Sequence, residues 1–129
     1  MKFALLITAA PFSQQGAATA LRFAQAAVKA GHTIERVFFF RDGVHTASEL
    51  AIAPQDEANV PVLWQQFCRE HHIDAIACVS AALKRGIVDA RESQRHQRSA
   101  ANLADGMQIG GLGLLTEAII DADRVVTFG

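Results

Sequence analysis

The stretch Thr33–Phe40, TIERVFFF, decides the fold class. Its last four residues are all apolar, with no polar alternation. A strand of this kind is buried on both faces, as in a parallel sheet covered by helices. Just before it, Ala17, Leu21, Ala24 and Val28 recur at spacings of three or four across Ala17–Ala30. That spacing predicts an amphipathic helix, with Gly31 as its C-terminal cap. Further back, Lys2–Thr8 (KFALLIT) is a short apolar run of β-compatible residues. Between run and helix, Ala9–Gly16 (AAPFSQQG) is turn chemistry, with Pro11 blocking a long helix. Strand, helix and strand in this order make a parallel pair, because parallel neighbours need a crossover.

The same alternation continues forward. Arg41–Pro54 is a long connection that opens near Asp-Gly. Val60, Leu63, Trp64, Phe67 and Cys68 then fall at i, i+3, i+4, i+7 and i+8, one face of a helix. Ile73–Val79 (IDAIACV) is a third strand. Ser80–Arg85 begins a short helix that Gly86 interrupts. Asp89–Asp105 is expected to be a polar helical stretch ending at Gly106. Met107–Ile109 forms a very short fourth strand, Leu112, Leu115 and Ile119 mark a last helix, and Arg124–Phe128 is a terminal strand. The expectation is a three-layer α/β/α fold with a mainly parallel five-stranded sheet, one domain spanning residues 1–129.

Composition narrows the function. Half of the 129 residues are hydrophobic and 19% are charged, which suits a packed core and excludes a largely disordered chain. A formal net charge of −1 is far from that of a wholesale nucleic-acid binder. Eight Phe, one Trp and no Tyr argue against base-stacking modules. The two cysteines, Cys68 and Cys78, are too few for a disulfide scaffold and form no CxxC pair. No signal-peptide pattern and no apolar run long enough to span a membrane is present, so a soluble cytoplasmic protein with reduced thiols is expected.

In an open parallel sheet the functional crevice lies at the carboxyl ends of the strands. That rule selects the loops after Thr8 and Phe40, Cys78 with Val79, Gly110–Gly113 and the C-terminus. Among these, Cys78 is the one strong nucleophile. A following helix start, with Lys84 and Arg85 nearby if the turn folds back, would favour thiolate over thiol. The alternative is a buried, inert thiol, and position alone leaves both open. Cys68 lies on the apolar stripe of the Trp64 helix and reads as core packing. His71 and His72 are adjacent, point apart on a helix and have no second ligand cluster, so no metal site is expected. His32, His45 and His96 are isolated. Gly110-Gly111-Leu112-Gly113 precedes a helix, yet Thr116 occupies the last position of a GxGxxG pattern and no GxxxxGK[ST] exists. A nucleotide cofactor is therefore not expected. Charge is uneven: residues 84–98 hold five Lys/Arg against two Asp/Glu, whereas the rest hold seven against eleven. The basic stretch suits an acidic protein or a tRNA backbone, or is a solvated helix face.

These pieces, taken in order, resemble the DsrE/TusD family of sulfur-relay proteins along essentially the whole chain. The resemblance rests on KFALLIT, on VFFFRDGV at Val37–Val44 and on CVSAALKRGIVD at Cys78–Asp89. NLADG at Asn102–Gly106, GLGLLTEA at Gly111–Ala118 and DRVVTFG at Asp123–Gly129 complete it. The resemblance implies that Cys78 carries a persulfide. It implies sulfur taken from TusA and passed to TusE for 2-thiouridine synthesis at the tRNA wobble position. It also implies work beside TusB and TusC in a dimer of heterotrimers, with no cofactor and no metal. The AAPFSQQG loop departs most from the family pattern, so Cys78 alone carries over as a functional residue.

Persulfide relay needs one thiolate that attacks a donor sulfur and is attacked in turn. A second cysteine in reach would divert the persulfide into a disulfide, so Cys68 is expected to lie out of reach of Cys78. Other functions stay open from sequence: a subunit of dissimilatory sulfur oxidation, a non-catalytic assembly subunit, or a small-molecule- or nucleotide-binding module using Gly110–Gly113. So small a chain with so much apolar residue is also expected to associate rather than remain a clean monomer.

Overall fold

The computed structural model describes residues 1–129. Strand β1 (Lys2–Ile7) leads into helix α1 (Gly16–Lys29) and strand β2 (Thr33–Phe39). A 3-10 helix (Arg41–Ala47) and helix α2 (Val60–Glu70) precede strand β3 (Asp74–Cys78). Two short helices, α3 (Val79–Lys84) and α4 (Ala90–Arg95), follow, then strand β4 (Met107–Gly110), helix α5 (Leu112–Asp121) and strand β5 (Arg124–Phe128). The sheet order is β4-β3-β2-β1-β5 and every pair is parallel. The TIERVFFF stretch is thus an interior strand, flanked by β1 and β3.

Helix α1 ends as its Gly31 requires. Gly31 takes φ +89°, a conformation open to glycine, while its N–H donates to Val28 O and that of His32 donates to Ala27 O. Its buried face is nearly all alanine, with Ala17, Ala20, Ala24 and Ala27 beside Leu21. Small side chains let α1 sit close to the sheet and to α2. Trp64 of α2 fills the resulting space, fully buried, and donates its indole N–H to Ala17 O at 2.9 Å. It meets Phe39 edge-on at a centroid distance of 5.8 Å. Each such buried aromatic contributes roughly 1.5–3 kcal/mol through burial alone.

The two faces of β2 assign the layers. Phe39 packs under α2. Arg36 lies on the opposite face and donates to Leu114 O at 2.8 Å and to Glu117 at 3.2 Å, both on α5. It also pairs with Asp74 of β3 at 3.1 Å. Burial alone would lower the Arg36 pKa, but the hydrogen bonds and charges of Asp74 and Glu117 outweigh it and raise the guanidinium above its ordinary value. Helices α2 and α5 therefore cover opposite faces, which gives the expected three layers.

The structure corrects the Asp89–Asp105 helix. Only Ala90–Arg95 is helical. Gln97 takes φ +55°, which breaks the helical course, and the Ser93 hydroxyl donates to Ala100 O at 2.8 Å, folding the chain back. Asn102 then holds the loop from outside: its Oδ1 accepts from Val88 N and its Nδ2 donates to Gly86 O. The long connection after β2 also contains structure. Its 3-10 helix buries Gly43, Val44, Thr46 and Ala47. Gly43 lies against the end of β1, where a Cβ would collide with the Ile7 carbonyl. No helix is long and apolar enough to cross a membrane.

Candidate functional site

Strand order fixes the crevice. The chain steps from β1 through β2 and β3 to β4 in one direction and then jumps back across the sheet to β5. Right-handed crossovers place α1, α2 and the α3–α4 segment on one face, and α5 on the other. The connections leaving β3 and β4 therefore depart to opposite faces. Such a divergence is a switch point, where an open parallel sheet forms its crevice. Cys78 and Gly110 are the register partners at this point, the last residues of β3 and β4.

Cys78 is both the end of β3 and the residue that caps the start of α3, with φ −57° and ψ 126°. Its Sγ lies 3.5 Å from Ser80 Oγ, in the first turn of α3. Ser80 is exposed, so its hydroxyl links the sulfur to the surface. Cys78 itself is 1% exposed and belongs to the main apolar cluster. Neither of the hollows beside α3 is lined by it. A reaction at this sulfur needs the β3–α3 junction to move or a partner to open it.

The cations expected near Cys78 are placed elsewhere. Arg85 stands at the far end of α3, donates to Asp42 at 2.9 Å and returns a second bond to Ala81 O. Lys84 is exposed at the same far end. Arg85 thus ties α3 to the loop after β2 and does not face the sulfur. Sequence reasoning missed Asp42 and Ser80. Ser80 was within reach, two residues beyond Cys78, whereas Asp42 pairs with a residue 43 positions away.

Cys68 is buried on α2, and desolvation pushes its thiol up to about 12. Such a thiol stays protonated and is a poor nucleophile at neutral pH. Both cysteines are free. Three of the five histidines have local partners: His32 lies beside the N-terminal amine and Phe3, His71 against Phe67, and His96 at 3.3 Å from Glu92. No group of three or more His, Cys, Asp or Glu side chains is gathered in one place. Gly110 is spent on packing, since a Cβ there would strike Leu114 and Ile76. Gly111 and Gly113 have open space around them.

A parallel α/β sheet with a single cysteine at its switch point defines the class, and comparison with known proteins gives the family. Residues 1–128 match the DsrE/DsrF-like family, and the chain belongs to it. It is 44% identical over 129 residues to a protein of Pseudomonas aeruginosa named sulfurtransferase TusD homolog, covering 100% of this chain and 98% of that one. It is 42% identical over 128 residues to sulfurtransferase TusD of Erwinia tasmaniensis, covering 99% and 100%. To the DsrE protein of Allochromatium vinosum it is 43% identical over 129 residues, covering 100% and 99%. The crystal structure of the ychN protein of E. coli has the same fold, with a TM-score of 0.80 at 22% identity over 99% of both chains.

Proposed function

We propose that this chain is a sulfurtransferase that carries a persulfide on Cys78. The observation that carries this reading is the position of Cys78: the one cysteine at the switch point of the sheet, while Cys68 is locked in the core as a protonated thiol. The names of full-length relatives support sulfur transfer as the chemistry.

The steps balance without an external redox agent. The Cys78 thiolate attacks the outer sulfur of a donor persulfide, forming an S–S bond while the donor leaves as a thiolate. An acceptor thiolate then attacks the outer sulfur on Cys78, and Cys78 leaves as a thiolate. Ser80 is placed to hydrogen-bond the leaving sulfur. We further propose TusA as donor, TusE as acceptor and 2-thiouridine at the tRNA wobble position as the destination. On this reading the chain works in the cytoplasm beside TusB and TusC as a dimer of heterotrimers. The exposed apolar residues Leu112, Ile119 and Ile120 of α5 and Val125 of β5 offer surface for that assembly.

The test is intact mass after incubation with a persulfide donor. Wild type and Cys68→Ala are expected to gain one sulfur and Cys78→Ala none. Sulfur retained by Cys78→Ala, or absent from wild type, removes the catalytic role and leaves a non-catalytic assembly subunit. A second reading, a subunit of dissimilatory sulfur oxidation, is favoured by the 43% identity to DsrE of Allochromatium vinosum. It uses the same cysteine with a different acceptor. Transfer from Cys78 to a TusE-type protein separates the two.

A further inference from the structure

The two cysteines are buried under different conditions. Cys68 sits among apolar side chains on α2, and desolvation pushes its thiol up to about 12. Cys78 is as deeply enclosed, yet its Sγ has a polar partner, the Ser80 hydroxyl at 3.5 Å. This is the one hydrogen bond made by the Cys78 side chain, and Ser80 Oγ makes no other within the chain. Local geometry sets the pair. Cys78 ends β3 and caps α3, and Ser80 stands two residues on, in the first turn of that helix. While Cys78 is a thiol, either atom can donate. Once the sulfur is a thiolate, only the hydroxyl can donate. The bond is then charge-assisted and favours the ionised form.

No charged side chain shares this task. Lys84 and Arg85 stand at the far end of α3, and Arg85 is held by Asp42 of the 3-10 helix. From the same 3-10 helix, Arg41 is exposed and His45 lines a separate hollow with Pro11 and Phe12. The neighbouring end of β2, Phe38–Phe40, carries no titratable group, nor do residues 107–116 across β4 and the start of α5. Arg36 and Asp74 pair at the opposite end of β3, about 13 Å along the strand from Cys78. Support for a charge on this sulfur therefore falls to one neutral hydroxyl.

We infer that Ser80 is a positioning residue for Cys78, whose hydroxyl holds the sulfur as a thiolate and eases its departure when a persulfide is passed on. Only the second half of this inference rests on the sulfur-transfer reading. In loading, the Cys78 thiolate bonds to the outer sulfur of the donor, and the donor leaves as a thiolate. In delivery, the acceptor bonds to the outer sulfur, the S–S bond breaks and its electron pair returns to Cys78 Sγ. Stabilising the thiolate affects these steps differently. It increases the ionised fraction but weakens the attack of each thiolate, so the two effects partly cancel in loading. In delivery a more stable thiolate leaves faster, and nothing cancels.

The test follows thiolate formation and both transfer steps in wild type, Ser80→Ala and Ser80→Thr. The chain has no tyrosine and Cys68 holds its proton to about 12, so ultraviolet thiolate absorbance reports Cys78. In Ser80→Ala the midpoint of that absorbance is expected to move up by about one pH unit, a roughly tenfold loss of thiolate at neutral pH. Loading by cysteine persulfide is expected to fall by only about threefold at neutral pH and to exceed wild type by about threefold once both thiols are ionised. Delivery to cyanide, which removes the outer sulfur as thiocyanate, is expected to be slower than in wild type. Ser80→Thr keeps the hydroxyl and is expected to restore all three. The unfolding midpoint of Ser80→Ala is expected to stay near wild type, because the side chain is exposed and has no other partner. An unchanged absorbance midpoint overturns the inference. So does a loss of loading that is equal at every pH, or a Ser80→Thr variant that behaves as Ser80→Ala. Failure of wild type to take sulfur on Cys78 overturns the sulfur-transfer reading instead, and the absorbance titration still decides whether Ser80 holds the thiolate.

Discussion

Cys78 and Gly110 stand opposite each other at the carboxyl ends of β3 and β4, and the chain leaves them for opposite faces of the sheet. The candidate cysteine and the packing glycine of the crevice are therefore neighbours. Gly110 has no room for a side chain because Leu114 and Ile76 occupy the space where a Cβ would stand. Gly110→Ala is expected to destabilise the protein by about 1–3 kcal/mol through overpacking. It is also expected to slow sulfur loading of Cys78, since relief of the clash must shift β4 or α5 beside it. Urea denaturation and intact-mass loading check the two effects. Wild-type behaviour in both would mean that Leu114 repacks freely and that Gly110 does not shape the crevice.

The near-complete burial of Cys78 makes its labelling rate a gauge of motion at the β3–α3 junction. In the native isolated chain, iodoacetamide is expected to modify Cys78 more slowly than a free thiol, because local opening must precede reaction. Asp42→Ala removes the ion pair that ties the end of α3 to the loop after β2. Asp42 is more than half exposed, so the loss of global stability is expected to be below about 1 kcal/mol. Cys78 labelling is expected to accelerate several-fold while Cys68 labelling does not. Parallel acceleration of both thiols would indicate global loosening and deny α3 a separate opening motion.

Cys68 supplies a pH dependence whose sign follows from its burial. Its folded pKa of about 12 lies above the ordinary thiol value of 9.0. Above pH 9 the unfolded chain loses this proton while the folded chain keeps it, so the unfolded state binds fewer protons and stability falls as pH rises. The contribution is fully present below pH 9 and is lost between about pH 9 and 12, at up to about 1.4 kcal/mol per pH unit. Cys68→Ala is expected to be less stable at pH 7, through the cavity it leaves, and to show a shallower decline above pH 9. Chemical denaturation at pH 8 and pH 10 measures both. Identical slopes would show that Cys68 ionises as freely in the fold as in the unfolded chain.

The limits of the sequence are local and physical. TIERVFFF announced an interior parallel strand because unalternating apolar residues leave no face for water, and the spacing of Ala17, Leu21, Ala24 and Val28 matched a helix packed on it. The position of Cys78 followed from the rule that crevices form at carboxyl ends of strands. Its burial did not, because burial depends on the adjoining layers. Residues 89–105 carry no apolar stripe, so nothing in their spacing revealed that the Ser93 hydroxyl turns the chain back after one short helix. The placement of β5 beside β1 brings together segments more than a hundred residues apart, and the pairing of Arg85 with Asp42 does the same over a shorter span. No periodicity encodes either. The place of Cys78 at the end of β3 was thus visible, while the salt bridge that anchors the following helix was not.

Helix α5 gives the last prediction. Among its ten residues only Ala118 is buried, although Leu112, Leu114, Leu115, Ile119 and Ile120 are all apolar. Arg36 holds it to the sheet through Leu114 O and Glu117, fixing which side faces outward. Ile120 is 75% exposed, and Val125 of the neighbouring edge strand is exposed as well. An apolar helix face next to an open strand edge favours association with another chain. The chain expressed alone is expected to elute larger than a monomer, and co-expressed TusB-type and TusC-type subunits are expected to bind it. Ile120→Glu is expected to leave the unfolding midpoint nearly unchanged, because the side chain makes little contact within the chain. It is expected to shift the protein toward monomer in sizing with light scattering. A wild type that is a clean monomer at micromolar concentration and fails to join those subunits would show that the α5 face is simply solvated surface.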